Sequence, residues 1–183
     1  MIGASTLYAN SARGLADHYG IRFDNQAFFV AEASRDQLAR ATTIVANCSS
    51  EAAALAAYRA AERKFEEETD VLYKRLATVF PKREIERDIE FVGSSTHRWK
   101  IATIVRHGSH IALFEPVSKH PVSVVTTAAK FHDIARLDNP PGRISVVRKK
   151  ADFGNLINVL AQAGSVIDFD APKETLLKIA EAA

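Results

Sequence analysis

The segment 91–169 constrains the fold most, because it parses with little left over as strand, strand, strand, helix, strand, helix, strand. Ahead of it, residues 83–92 alternate: Ile85, Arg87, Ile89 and Phe91 on one face, Glu84, Glu86, Asp88 and Glu90 on the other, the period of a strand with one acidic side. After the turn formers 93–96, the apolar runs 99–105 and 110–114 flank His107-Gly108-Ser109, a hairpin pattern whose second strand is apolar enough to be central. Pro121 opens a helix over 121–137, since the first helical position needs no N–H. Asn139-Pro140-Pro141-Gly142 breaks the chain before a strand at 143–147, a helix at 151–163 closed by Gly164, a strand at 165–169 and a final helix at 172–182. Such an order predicts an α+β or α/β protein: a mixed β-sheet core flanked by helices over 83–183, behind a helical and β-hairpin N-terminal lobe over 1–82.

In that lobe, residues 1–20 read as a short helix punctuated by Gly14 and closed by Gly20. Apolar runs at 21–23 and 27–30 flank Asp24-Asn25-Gln26, the pattern of a tight hairpin. Ser34 with Gln37 fits a capping box for a helix over 35–47. Ser49 and Ser50 are placed to cap a second helix over 51–79, which holds neither Gly nor Pro and is stopped by Pro81. Tyr58, Ala61, Phe65, Thr69, Leu72, Leu76 and Val79 share one face of it. The stripe fits a helix laid on a core, and its seven-residue spacing also fits a homodimer seam.

Several function classes find no support. One cysteine, Cys48, makes no intramolecular disulfide and reads as a small buried apolar residue. No window approaches the roughly 18 apolar residues of a membrane span, and the first residues lack a basic stretch followed by an apolar run, so a cytoplasmic protein is expected. His107 and His110 bracket a turn without a third zinc ligand, and His132 and Asp133 point different ways on a helix. There is no Gly-rich phosphate loop and no Gly-x-Ser-x-Gly elbow.

Phe91-Val92-Gly93-Ser94-Ser95, His97 and Trp99 resemble the stretch that precedes an aromatic-Asp pair on a core strand in uncharacterised bacterial and prophage proteins. The order of elements from Phe91 onward is similar to the core of the PD-(D/E)XK, or restriction-endonuclease-like, superfamily. The resemblance implies a nuclease-like sheet in which two acids hold Mg2+ and a lysine polarises the attacking water. The position of the first acid holds Lys100, and the acid-x-lysine of the next strand reads Glu115-Pro116-Val117, with Lys119 the nearest lysine. The core is therefore expected to be catalytically degenerate. The alternative is a Mg2+-dependent nuclease with relocated groups, Glu90, Glu115 and Lys119.

Charge supplies the remaining expectation. Residues 98–150 hold ten Lys or Arg against three acids, so this segment carries +7 while the rest of a +2 chain carries −5. Arg98, Lys100, Arg106, Lys119, Arg143, Arg148, Lys149 and Lys150, together with Lys130, fall near strand ends and helix starts, where clustered cations attract phosphates with little base reading. Trp99 offers a stacking surface. A non-catalytic, nucleic-acid-contacting or protein-interaction protein is the expected function, with no cofactor outside the Mg2+ alternative and with homodimerisation through 51–79 as its scaffold form.

Overall fold

The computed structural model describes residues 4–24 and 29–182, so Asn25 and Gln26 of the expected hairpin turn lie outside the described residues. The chain packs as two compact units, Met1–Glu66 and Glu67–Ala183, which part within one long helix.

The first unit holds α1 (Ala4–Tyr19), β1 (Arg22–Phe23), β2 (Phe29–Val30) and the first part of α2 (Leu38–Leu76). β1 and β2 pair antiparallel, Phe23 opposite Phe29. Gly14 does not interrupt α1, and Gly20 ends it at a φ of +64°, a conformation that favours glycine. Ala12 and Ala16 of α1 are buried with Cys48 and Ala52 of α2, two small residues four apart on one face of each helix. The thiol of Cys48 is raised by its burial, as a structural cysteine requires.

Ser49 and Ser50 cap nothing, because α2 runs unbroken through them. The Ser49 hydroxyl donates to the Val45 carbonyl at 2.8 Å, and Thr42 and Thr43 make the same bond four residues back. This internal outlet for a hydroxyl lets a helix continue through residues that otherwise favour its ends. Ser34 precedes a 3-10 turn at Arg35–Gln37 without a side-chain cap bond. The long apolar stripe also divides: Thr69, Leu72 and Leu76 are buried in the second unit, whereas Tyr58 is 62% and Phe65 37% exposed.

The second unit is a mixed α+β arrangement around a five-stranded sheet ordered β3 (Ile85–Val92), β4 (Arg98–His107), β5 (His110–Val117), β6 (Gly142–Val147) and β7 (Ser165–Asp168). β3, β4 and β5 are antiparallel neighbours, and β6 and β7 run parallel to β5. The parallel connections are α3 (Pro121–Ile134) and α4 (Leu156–Ala163). Strand order advances in one direction, so both crossovers fall on the same face of the sheet. Phe131, Ile134 and Leu160 are buried there against Ile104, Leu113 and Val147. The other face, carrying Phe114, Ile144 and Val146, is covered by Leu72 and Leu76 of α2 and by Leu176 and Ala180 of α5 (Lys173–Glu181). Each large side chain so enclosed contributes roughly 1.5–3 kcal/mol.

The alternation of β3 does not keep one face to one layer. Ile85 packs with the α2 and α5 layer, while Ile89 and Phe91, of the same parity, pack against the α3 layer. Opposite them on β4, Val105 and Ile101 separate in the same way. The change occurs at Asp88, whose φ of +50° is unusual for a residue with a Cβ. The register resumes without slip, from Arg87 opposite Thr103 to Ile89 opposite Ile101. Both strands therefore turn together, and the outer end of the hairpin is carried over α3.

Candidate functional site

The β4–β5 register stops at Thr103 opposite Phe114. Pro116 lies two residues on and has no N–H to donate to a ladder. Beyond that point side chains take over the open edge of β4. Glu115 Oε1 accepts from the Ala102 N–H at 3.0 Å and from Lys130 Nζ at 2.7 Å, and Lys130 Nζ also donates to the Lys100 carbonyl at 2.5 Å. One ion pair thus satisfies a donor and an acceptor of β4 that lie beyond its last paired residue on β5. Glu115 is 1% exposed. Burial pushes its carboxyl above the ordinary glutamate range, with the Lys130 ammonium pulling against that rise and the negative charge of Asp88 adding to it.

The candidate catalytic residues are held by different partners. Glu90 lies in the open and reaches Arg98 at 3.4 Å, Glu115 is enclosed with Lys130, and Lys119 follows the end of β5. β4 separates the backbones of Glu90 and Glu115, placing them two strand spacings apart, roughly 10 Å. Among the described residues no three His, Cys, Asp or Glu side chains are grouped to hold a metal ion. The donor set at Glu115 does not suit Mg2+ either, because the Lys130 ammonium lies against the Glu115 carboxylate, which is 1% exposed.

The eight nominated cations fall into three groups. Arg98, Lys100 and Arg106 of β4 face the acidic side of β3, pairing with Glu90, Asp88 and Glu86, and His107 meets Glu84 at 2.8 Å. The charge counted along β4 is thus matched across the hairpin by the acids counted along β3. Arg143, at the start of β6, donates to the Ala163 and Pro141 carbonyls at 3.1 Å and serves the fold. Lys119, Arg148, Lys149 and Lys150 lie just beyond the carboxyl ends of β5 and β6, two neighbouring parallel strands. Arg148 is loosely held by Glu68 at 3.5 Å, whereas Lys119, Lys149 and Lys150 have no ion-pair partner among the described residues. Lys130 does not join this surface, being committed to Glu115.

The Gly93-Ser94-Ser95 turn has a structural reason that its spacing did not reveal. The Asp133 carboxylate, on the last turn of α3, accepts from the Ser95 N–H and hydroxyl at 2.8 Å and from the Trp99 indole N–H at 2.7 Å. The Trp99 and Ser95 donors hold its carboxyl below the ordinary aspartate range. A Cβ at Gly93 would stand 1.9 Å from Asp133 Oδ2, so only glycine fits. His97 meets Trp99 edge-on at 4.4 Å, leaving that indole engaged on its edge and one face. The motif that carries the family resemblance is therefore a clamp between a turn and a helix 38 residues away.

Comparison of the chain with protein-family models, with curated proteins and with solved structures found no match. No helix among the described residues is long and apolar enough to cross a membrane.

Proposed function

We propose that this chain is a non-catalytic, nucleic-acid-contacting protein on a degenerate nuclease-like core. The observation that carries the reading is the gathering of Lys119, Arg148, Lys149 and Lys150 beyond the carboxyl ends of two neighbouring parallel strands, where clustered cations attract phosphates. Three antiparallel strands followed by helix-connected parallel strands support the nuclease-like core. Degeneracy is supported by Lys100 in place of an acid and by the closure of Glu115 onto Lys130.

Binding of labelled single- and double-stranded oligonucleotides, followed by fluorescence anisotropy over a salt series, tests the reading. Binding at low salt should weaken steeply as salt rises, with a log–log slope of about 0.7–0.9 per phosphate contacted. The triple substitution Lys119→Glu, Lys149→Glu and Lys150→Glu should flatten that slope, whereas Arg98→Glu should change it little. Absence of binding to either form at low salt would remove the proposal.

A second reading, self-association through the 51–79 stretch, is favoured by the exposure of Tyr58 and Phe65 on α2. Sedimentation of the parent chain and of a Tyr58→Glu, Phe65→Glu variant distinguishes it. A dimer that survives both changes would rule out that seam.

A further inference from the structure

A cavity of about 380 Å³ lies beside the same basic strand ends, within the range that small-molecule sites occupy. Its apolar wall is the half-buried Phe169 with Val71, and Val71 is 51% exposed. Arg148 and Lys149 stand on it from the end of β6, and Glu68, Asp152 and Asp170 also line it. We propose that this cavity takes one unpaired guanine nucleotide, an inference that rests on the nucleic-acid reading and names the base that the basic surface presents to it.

Glu68 balances Arg148, which leaves Asp152 and Asp170 against a fully anionic ligand and Lys149 against a fully cationic one. An occupant with an anionic end for Lys149 and the outer Arg148 N–H groups, and an N–H-rich end for the aspartates, suits both. A nucleotide has that polarity: its phosphate suits the cations, its planar base suits the Phe169 ring, and its edge meets the carboxylates. Guanine presents N1–H and N2–H2 side by side, a pair of donors that matches the two oxygens of one carboxylate, whereas adenine offers an acceptor at N1. In a duplex that edge is engaged in pairing, so the ligand is a single strand or a free nucleotide.

The cavity is also built to hold its shape. The Phe169 N–H donates to the Val147 carbonyl at 2.7 Å, and the Lys150 N–H donates to Asp168 at 2.7 Å, tying the ends of β6 and β7 together. The Ala171 carbonyl accepts from Arg75 of α2 at 2.5 Å. Glu68, only 11% exposed, holds Arg148 through Nε and leaves that 78% exposed guanidinium its outer N–H groups for a phosphate.

The test uses the full chain at low salt with four labelled oligonucleotides: all dT, dT with one central dG, dT with one central dA, and a duplex, each competed by GMP or AMP. The central dG should bind roughly 10-fold tighter than the central dA, the scale of a hydrogen bond to a charged group. Asp152→Asn with Asp170→Asn should abolish that preference, the dG and dA strands binding equally, while all-dT binding tightens with the loss of two negative charges. Phe169→Leu, which keeps an apolar side chain in place and is checked by its melting temperature, should weaken every single strand roughly 10-fold and leave the duplex unaffected. GMP competing better than AMP supports the free nucleotide as ligand, and dG preference without GMP competition supports the strand. Strands bound with no preference for dG would overturn the guanine pocket and leave the nucleic-acid reading standing. Selective GMP binding with no strand bound would do the reverse, and no binding at all would end both.

Discussion

Replacing Lys130 by Met tests the idea that a buried ion pair closes the sheet where the pairing of β4 with β5 stops. The substitution leaves Glu115, 1% exposed, with the Ala102 N–H as its remaining partner among the described residues and removes the donor to the Lys100 carbonyl. Stripping one partner from a buried pair costs about 3–5 kcal/mol. In a chain of this length that corresponds to roughly 6–20 °C in Tm. Elsewhere, replacing both partners of such a pair by apolar residues is often neutral or stabilising. Here Glu115→Leu with Lys130→Met also strands a backbone N–H and a backbone C=O, each at about 1–3 kcal/mol, so the double variant should still lose about 2 kcal/mol or more. Trp99 is the single tryptophan and lies in the second unit, so its fluorescence in a urea titration reports that unit's unfolding. The sign of the pH dependence follows from the raised Glu115 carboxyl. Its ionisation opposes folding as pH rises from the ordinary glutamate value through the raised one, and removing Lys130 removes the counter-charge. The Lys130→Met deficit should therefore shrink as pH falls through the raised range above the ordinary glutamate value, and stay constant below that value. A double variant as stable as the parent would refute the claim that this pair substitutes for ladder hydrogen bonds.

Other expectations follow from particular contacts. Gly93→Ala should destabilise by about 1–3 kcal/mol, because its Cβ displaces an Asp133 carboxylate held by three donors, and calorimetry measures it. Asp133→Asn should destabilise at neutral pH. Because the folded-state carboxyl is depressed, that deficit should narrow as pH falls below the ordinary value of 3.8 and the parent's own carboxylate protonates, which circular dichroism melts across pH would show. Ser50→Ala, at an exposed position inside α2, should raise stability by a few tenths of a kcal/mol, whereas a residue at a helix cap would lose about 1 kcal/mol, so the sign of the change decides. Thr103→Val should stabilise by about 1 kcal/mol, since the Thr103 hydroxyl is fully buried and meets no partner among the described residues.

The sequence by itself determined the order of elements and most of their limits in the second unit. The period-2 pattern of β3, Gly108 at a turn with φ of +60°, Pro121 at the start of α3 and Gly164 after α4 are local instructions that operate within a few residues. It also determined the mixed sheet, since two helix-length connections after three hairpin-spaced strands leave few topologies. Only the tertiary structure decided what the charges and motifs do. Cations of β4 and acids of β3 lie far enough apart along the chain to be counted separately, yet strand pairing sets them against each other as Arg98 with Glu90 and Arg106 with Glu86. Lys130, counted among phosphate-seeking cations, is drawn inward because Glu115 and the Lys100 carbonyl need it. Asp133 gives the Gly-Ser-Ser turn its meaning from 38 residues away, and no local spacing encodes that bond. Helix ends and turns depend on short-range sterics and hydrogen bonding, whereas the fate of a charge depends on which strand folds beside it.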